Sequence, residues 1–301
     1  IQDLRMVLPT GETFTVGNPA LEGMPHTAPF GPGVDWWRMF MCAQGTMGIC
    51  YEMNLRLVPL PKAQKLFFSA LDNVTEVTNA IKQIQKKELG FECFALNNFD
   101  LATMVVEEAP LDTRNLKNGT YVGPAGAKPW GIAQRQRFEA LRRALPPWTL
   151  ILSIAGFQRH PEEKVAYQEL DLRDLAAEAG FELTPSVGGI ANLDRIIAEE
   201  MLLPWRMQKR FGYKGSCQGL MFYATAGAIP WIEDALNQLA ARYHYPPADI
   251  GAYVQPVERA RTFYCVYDLY CDLENASETE RVAALFREAS DTLIDLGAFF
   301  D

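Results

Sequence analysis

Positive charge is in short supply in this chain: 28 lysines and arginines stand against 37 aspartates and glutamates, a formal net charge of -9. An acidic surface repels phosphate backbones, which excludes a non-specific nucleic-acid binder. The doublets Lys86-Lys87 and Arg142-Arg143 are too sparse to form a basic patch. Histidine is scarcer still. His26, His160 and His244 lie far apart in the sequence, so a histidine-based metal centre is not expected and no metal ligands are assigned. The six cysteines contain no C-x-x-C pair. That excludes a dense disulfide frame and tight zinc spacing, and points to reduced thiols in a cytoplasmic protein. No apolar run approaches the ~20 residues of a membrane-spanning helix. A basic segment followed by an apolar one, the mark of a secretory leader, is also missing from the first residues.

What is present is a globular composition, 49% hydrophobic and 22% charged over 301 residues, enough for one large domain or two ordinary ones. The chain opens at Ile1 and runs at once into strand-like sequence, so a longer protein or a removed preceding segment is expected. Residues 3–17 read as a hairpin, two β-rich runs joined by Pro9-Thr10-Gly11-Glu12. After a Gly/Pro-rich loop, VDWWRMFMCAQ suits a short helix. In the run that follows, Ile49, Tyr51, Met53, Leu55 and Leu57 alternate with mostly polar neighbours, the period of a strand with one buried face. Prolines 59 and 61 end it and set a boundary, giving units 1–61 and 62–301.

Strands and helices then alternate. Asn73 and Glu76 form a helix start, Val74, Val77, Ile81 and Ile84 its apolar stripe, and Gly90 its stop. Residues 107–131 read as a surface excursion. Pro161 opens a helix that Gly180 ends, and Ser277-x-x-Glu280 reads as the cap of the last one, with Gly297 just past its end. The tandem strands 252–257 and 262–273 favour antiparallel pairing. The fold class expected is α+β: a large, mainly antiparallel sheet with helices on one side, in two ferredoxin-like halves, preceded by a small remnant of an α+β domain.

Gly45-Thr46-Met47-Gly48 is the first stretch with chemistry to offer. Two glycines three residues apart let backbone N–H groups approach a ligand unobstructed, and a tight turn that merely needs glycine satisfies the same pattern. Its surroundings add to this. LRMVLPTGETFTVG, then PGVD, a short apolar helix, G-x-x-G-I, a strand and P-x-P resemble the closing part of the FAD-binding domain in FAD-linked oxidases of the vanillyl-alcohol oxidase and p-cresol methylhydroxylase family. CQGLMFYATAGAIPWIEDAL, IGAYVQPVERARTFYCVYDLYCDL and LGAFF resemble that family's substrate-binding cap more loosely.

The resemblance implies FAD as cofactor, contacted by the backbone of Gly45, Thr46, Met47, Gly48 and Ile49. It implies a cap strand near 258–268 facing flavin and substrate, with Tyr264 and Arg261 as catalytic candidates and Glu258 and Arg259 as substrate contacts. Tyr264 could hold substrate, link covalently to the flavin, or simply pack in a half-buried strand, and Thr262 is the alternative at the key position. The activity implied is hydride transfer from a small alcohol or phenolic substrate to flavin. The electron acceptor is unspecified, and a further copy of the chain or a complementing chain carrying the rest of the FAD domain is the expected protein partner. The family's N-terminal FAD subdomain and its late Tyr-Arg pair have no counterpart here. A D-2-hydroxy-acid or glycolate dehydrogenase and a non-catalytic ferredoxin-like binding module are the alternative readings. Asp171, Asp174, Glu169 and Glu178 around Arg173 read as a solvated helix face, and Trp36-Trp37 as core.

Overall fold

The computed structural model describes residues 3–17, 20, 37–41, 43, 45–106, 130–203 and 209–300. Most of the excursion expected at 107–131 lies outside them, as does Trp36. The chain divides into two compact units, Ile1–Leu60 and Pro61–Asp301.

In the first unit β1 (Asp3–Val7) and β2 (Thr13–Val16) form the expected hairpin, closed by Leu8 N–H on the Glu12 carbonyl with Gly11 left-handed at φ +86°. A short helix α1 (Trp37–Phe40) follows. Strand β3 (Ile49–Asn54) then pairs antiparallel with β1, giving the order β2-β1-β3. Leu4, Met6 and Val16 are the buried core of this small sheet. The buried face expected on the third strand is not found. Ile49 is 73% exposed and Leu57 88%, and Tyr51, Met53 and Leu55 are exposed as well. Alternation reports that a strand has an apolar side, not that this chain supplies the layer covering it.

The second unit opens with β4 (Ala63–Leu71), α2 (Val74–Lys86), β5 (Glu92–Asn97), α3 (Asn98–Val105), α4 (Ile132–Ala144), β6 (Trp148–Gly156) and α5 (Pro161–Ala179). Strand β6 lies between β4 and β5, and Thr184 bridges to Phe68 on the outer side of β4. Helix α6 (Leu193–Leu202) leads into the second half, β7 (Ser216–Ala224), α7 (Ile229–Arg242), β8 (Ile250–Val257), β9 (Thr262–Cys271), α8 (Ala276–Asp295) and β10 (Phe299–Phe300), with strand order β10-β7-β9-β8. Each half thus follows a ferredoxin-like β-α-β, β-α-β path, α3 and α4 being inserted in the first. The halves meet where β5 pairs with β8 at Ala95–Val254 and Leu96–Tyr253, completing one seven-stranded antiparallel sheet.

Local sequence explains why the long helices sit where they do. The Asn73 side chain accepts from Glu76 N–H at 3.0 Å, Glu76 reaches back to Asp72 N–H, and Val77, Ile81 and Ile84 are fully buried. Each such side chain contributes about 1.5–3 kcal/mol on burial. Pro161 pre-sets the first turn of α5, and Gly180 closes it at φ +78°. Helices α2, α5, α7 and α8 share one core on one face of the sheet, as expected. Three others, α3, α4 and α6, cover part of the other face over Leu66, Phe94 and Tyr270. Helix α3 carries no amphipathic signature because Phe99, Asp100, Leu101, Ala102 and Thr103 are all buried. The last helix is capped by Asn275, whose side chain accepts from Glu278 N–H at 3.2 Å, and not by Ser277, which lies inside the first turn. With the Asn two residues earlier satisfying Glu278 N–H, the helix has already begun where the serine was expected to start it.

Candidate functional site

Within the first unit the glycine turn has two different reasons for its glycines. Gly48 has φ +142°, and a Cβ there would lie 2.5 Å from the Val7 carbonyl oxygen, so both conformation and space demand glycine. Gly45 has φ +77° with open space where a side chain would go. Thr46 is fastened by its amide and its hydroxyl to the Ala43 carbonyl, at 2.9 and 2.6 Å. Among the described residues, Met47 and Gly48 N–H groups make no backbone bond within the turn. The turn thus holds Thr46 by two hydrogen bonds between two glycines that carry no side chain, ahead of Ile49.

In the second unit, strand alternation decides what faces where. Tyr264, Val266, Asp268 and Tyr270 of β9 point away from the long helices, paired side by side with Gln255, Tyr253 and Gly251 of β8 and with Tyr223, Met221, Gly219 and Cys217 of β7. Beyond the reach of α3, α4 and α6 this face is open among the described residues. Met221 is 47% exposed, and the rings of Tyr223 and Tyr264 pack tilted with centroids 5.4 Å apart. Tyr253 stacks on Phe94 at 5.6 Å and donates its hydroxyl to Gln255 at 2.8 Å. Burial raises the pKa of Glu92, which lies on the same face.

The remaining candidates are not beside Tyr264 on that face. Glu258 and Arg259 are at the tip of the β8–β9 hairpin, where residues 258–260 are consecutively left-handed at φ +47°, +61° and +60°. Arg259 pairs with Glu88 at the end of α2. Arg261, its side chain 84% exposed, stands 4.0 Å from Glu258. Thr262, at the foot of the hairpin, donates its hydroxyl to the Ala224 carbonyl at 3.0 Å.

A cluster the sequence reading missed lies further along the same face. Asp268 is fully buried and accepts from Arg210 Nη1 at 2.5 Å, while the Tyr270 hydroxyl donates to Asp100 at 3.2 Å. Burial, then the neighbouring Asp268 charge, pushes Asp100 up to about 7, against the lowering pull of Arg210 and the Tyr270 hydrogen bond. Asp268 is raised too, by burial, with Arg210 opposing. The nearby Cys217 thiol is pushed up to about 12 by burial and by Asp268, which leaves it a poor nucleophile. Glycine marks the place on both neighbouring strands: a Cβ on Gly251 would sit 2.1 Å from Asp100 Oδ1, and one on Gly219 3.0 Å from Asp268 Oδ1. Two glycines inside strands and one acid in the aromatic run TFYCVYDLYC were the available signal. Among the described residues no group of His, Cys, Asp and Glu could hold a metal ion, and no helix is long and apolar enough to cross a membrane.

Comparison with solved structures decides the fold. The structure of p-cresol methylhydroxylase with substrate bound overlays on 98% of this chain with a TM-score of 0.69 at 16% identity. That of 4-ethylphenol oxidase from Gulosibacter chungangensis, in complex with isoeugenol, does so with a TM-score of 0.68, also at 16% identity and 98% coverage. This chain has their fold. Alkyldihydroxyacetonephosphate synthase overlays on 99% of it with a TM-score of 0.57 at 11% identity. The chain spans 56% of the first two proteins and 49% of the third, about half their length. No protein-family model and no curated protein matches the sequence.

Proposed function

We propose that the chain is part of an FAD-dependent oxidoreductase that oxidises a small alcohol or phenolic substrate, with the open face of the seven-stranded sheet as its substrate side. The observation that carries this reading is the shared fold with p-cresol methylhydroxylase over 98% of the chain. The aromatic character of the open face around Tyr223 and Tyr264 supports it. So does the exposed apolar side of β3, a surface suited to being covered by the rest of an FAD-binding domain.

The glycine turn fits the cofactor: Gly45 leaves space unfilled, and among the described residues Met47 and Gly48 N–H groups have no backbone partner in the turn and suit a polar ring edge. FAD, when bound, supplies the hydride acceptor. Gly45, Thr46, Met47, Gly48 and Ile49 then hold it by backbone contact. Tyr264 is assigned the orientation of the substrate hydroxyl, with Tyr223 beside it giving the ring a wall to pack on. Glu258, Arg259 and Arg261, at the tip of the β8–β9 hairpin and not on this face, are given no substrate contact in this reading.

The test is made on the full-length protein. FAD is added, excess is removed, and an anaerobic 4-alkylphenol or alcohol is titrated in. Retained flavin with displaced absorption bands that bleach on titration supports the proposal, and Tyr264→Phe should slow bleaching while leaving flavin retention unchanged. A protein that retains no flavin overturns it.

A further inference from the structure

On the opposite face of the sheet, under the long helices, a second polar site is built from different residues and is independent of the reading above. Its origin is topological. The β5–β8 pairing lasts only two residues. Beyond it β5 ends at Asn97, whose side-chain amide donates to the Ile250 carbonyl at 2.8 Å and accepts from Ala252 N–H at 3.0 Å in place of the next backbone rung. The chain turns away there into α3, and a cleft of about 160 Å³ is left between the ends of β5 and β6 and the helix α7.

Three polar groups line this cleft without a protein partner among the described residues: the buried Tyr267 and the half-buried Glu233 and Asn237. Glu233 on α7 has no hydrogen bond or ion pair among the described residues, and the like-charged Asp234 adjoins it in the sequence. Burial and that neighbour push its carboxyl up to about 7. Tyr267, 1% exposed, has a buried hydroxyl with no partner. Asn237, one turn from Glu233, makes no side-chain hydrogen bond among the described residues. A buried hydroxyl without a partner, such as that of Tyr267, costs free energy that native structures usually recover. Among the described residues no basic side chain lines the cleft.

What the site offers is a set of oxygen acceptors, carboxylate, phenol and amide, between the indole of Trp148 and the rings of Pro147 and Pro247. Three acceptors match the three donors of an ammonium group, a carboxylate supplies the opposite charge, and aromatic walls favour a cation with a short apolar tail. We infer that the Glu233–Tyr267–Asn237 cleft binds a small primary ammonium ion, such as a short alkylamine.

Titration calorimetry of the protein with ethylammonium chloride tests this, with potassium chloride and ethanol as charge-only and shape-only controls. Saturable binding of ethylammonium is expected, with neither control competing. Glu233→Gln should weaken it about tenfold or more and Tyr267→Phe about threefold, as loss of a charged and of a neutral hydrogen-bonding partner predicts. Gln conserves the shape of Glu233, and an unchanged far-UV spectrum verifies that the variant is folded. Absence of saturable heat, equal binding of potassium or ethanol, or a folded Glu233→Gln variant that binds ethylammonium as tightly as the parent would each overturn the assignment, leaving a cleft that holds water.

Discussion

Replacing Asp100 with asparagine should flatten the dependence of stability on pH. In the folded chain burial and Asp268 raise Asp100 from 3.8 to about 7. Between those values the native state keeps a proton that the unfolded chain has released. The native state is therefore favoured on the acid side, and that advantage is lost as pH rises through the window from about 4 to about 7. At ~1.4 kcal/mol per pKa unit, passing from about pH 5 to about pH 8 costs the fold about 2–3 kcal/mol through this one group. Asparagine cannot ionise, and its carbonyl oxygen can still accept from the Tyr270 hydroxyl, which now donates to Asp100 at 3.2 Å. Asp268 and Glu233 are raised as well and leave a residual slope of the same sign. Urea midpoints measured at the two pH values should fall much less for the variant than for the parent. Equal falls would show that Asp100 titrates as an ordinary carboxylate and would refute the reasoning.

Two smaller comparisons separate causes that the structure distinguishes. Gly48→Ala should destabilise the N-terminal sheet by about 2–4 kcal/mol, strain and a clash with the Val7 carbonyl acting together, whereas Gly45→Ala meets only open space and should cost about 1 kcal/mol. Hydrogen-exchange protection of the β1 and β3 amides reads the difference, and similar losses would contradict the geometry. Asn275→Ala should lower stability by about 1 kcal/mol while Ser277→Ala leaves it nearly unchanged, because the cap of α8 is the asparagine. Denaturant midpoints check this, and the reverse order would restore the serine as the cap.

The sequence by itself determined whatever depends on a few neighbouring residues. Asn73, Pro161, Gly180 and Gly297 punctuate helices through local sterics and local hydrogen bonds, and the stripe from Val74 to Ile84 needs only the helical period to be seen. The Pro9–Glu12 turn and the glycine turn at 45–48 were legible for the same reason. Tertiary structure alone decided the rest. The neighbourhood of Asp100, Tyr270, Asp268 and Arg210 follows from strand order, which sets residues 170 positions apart against one another. The duplication of the ferredoxin-like path shows in the strand order without any repeat in the residues. Whether the apolar side of β3 is covered depends on a layer that periodicity cannot reveal, and here that side stays exposed. Capping and period are short-range effects written in adjacent letters, whereas pairing and burial are properties of surfaces that meet only after the chain has folded.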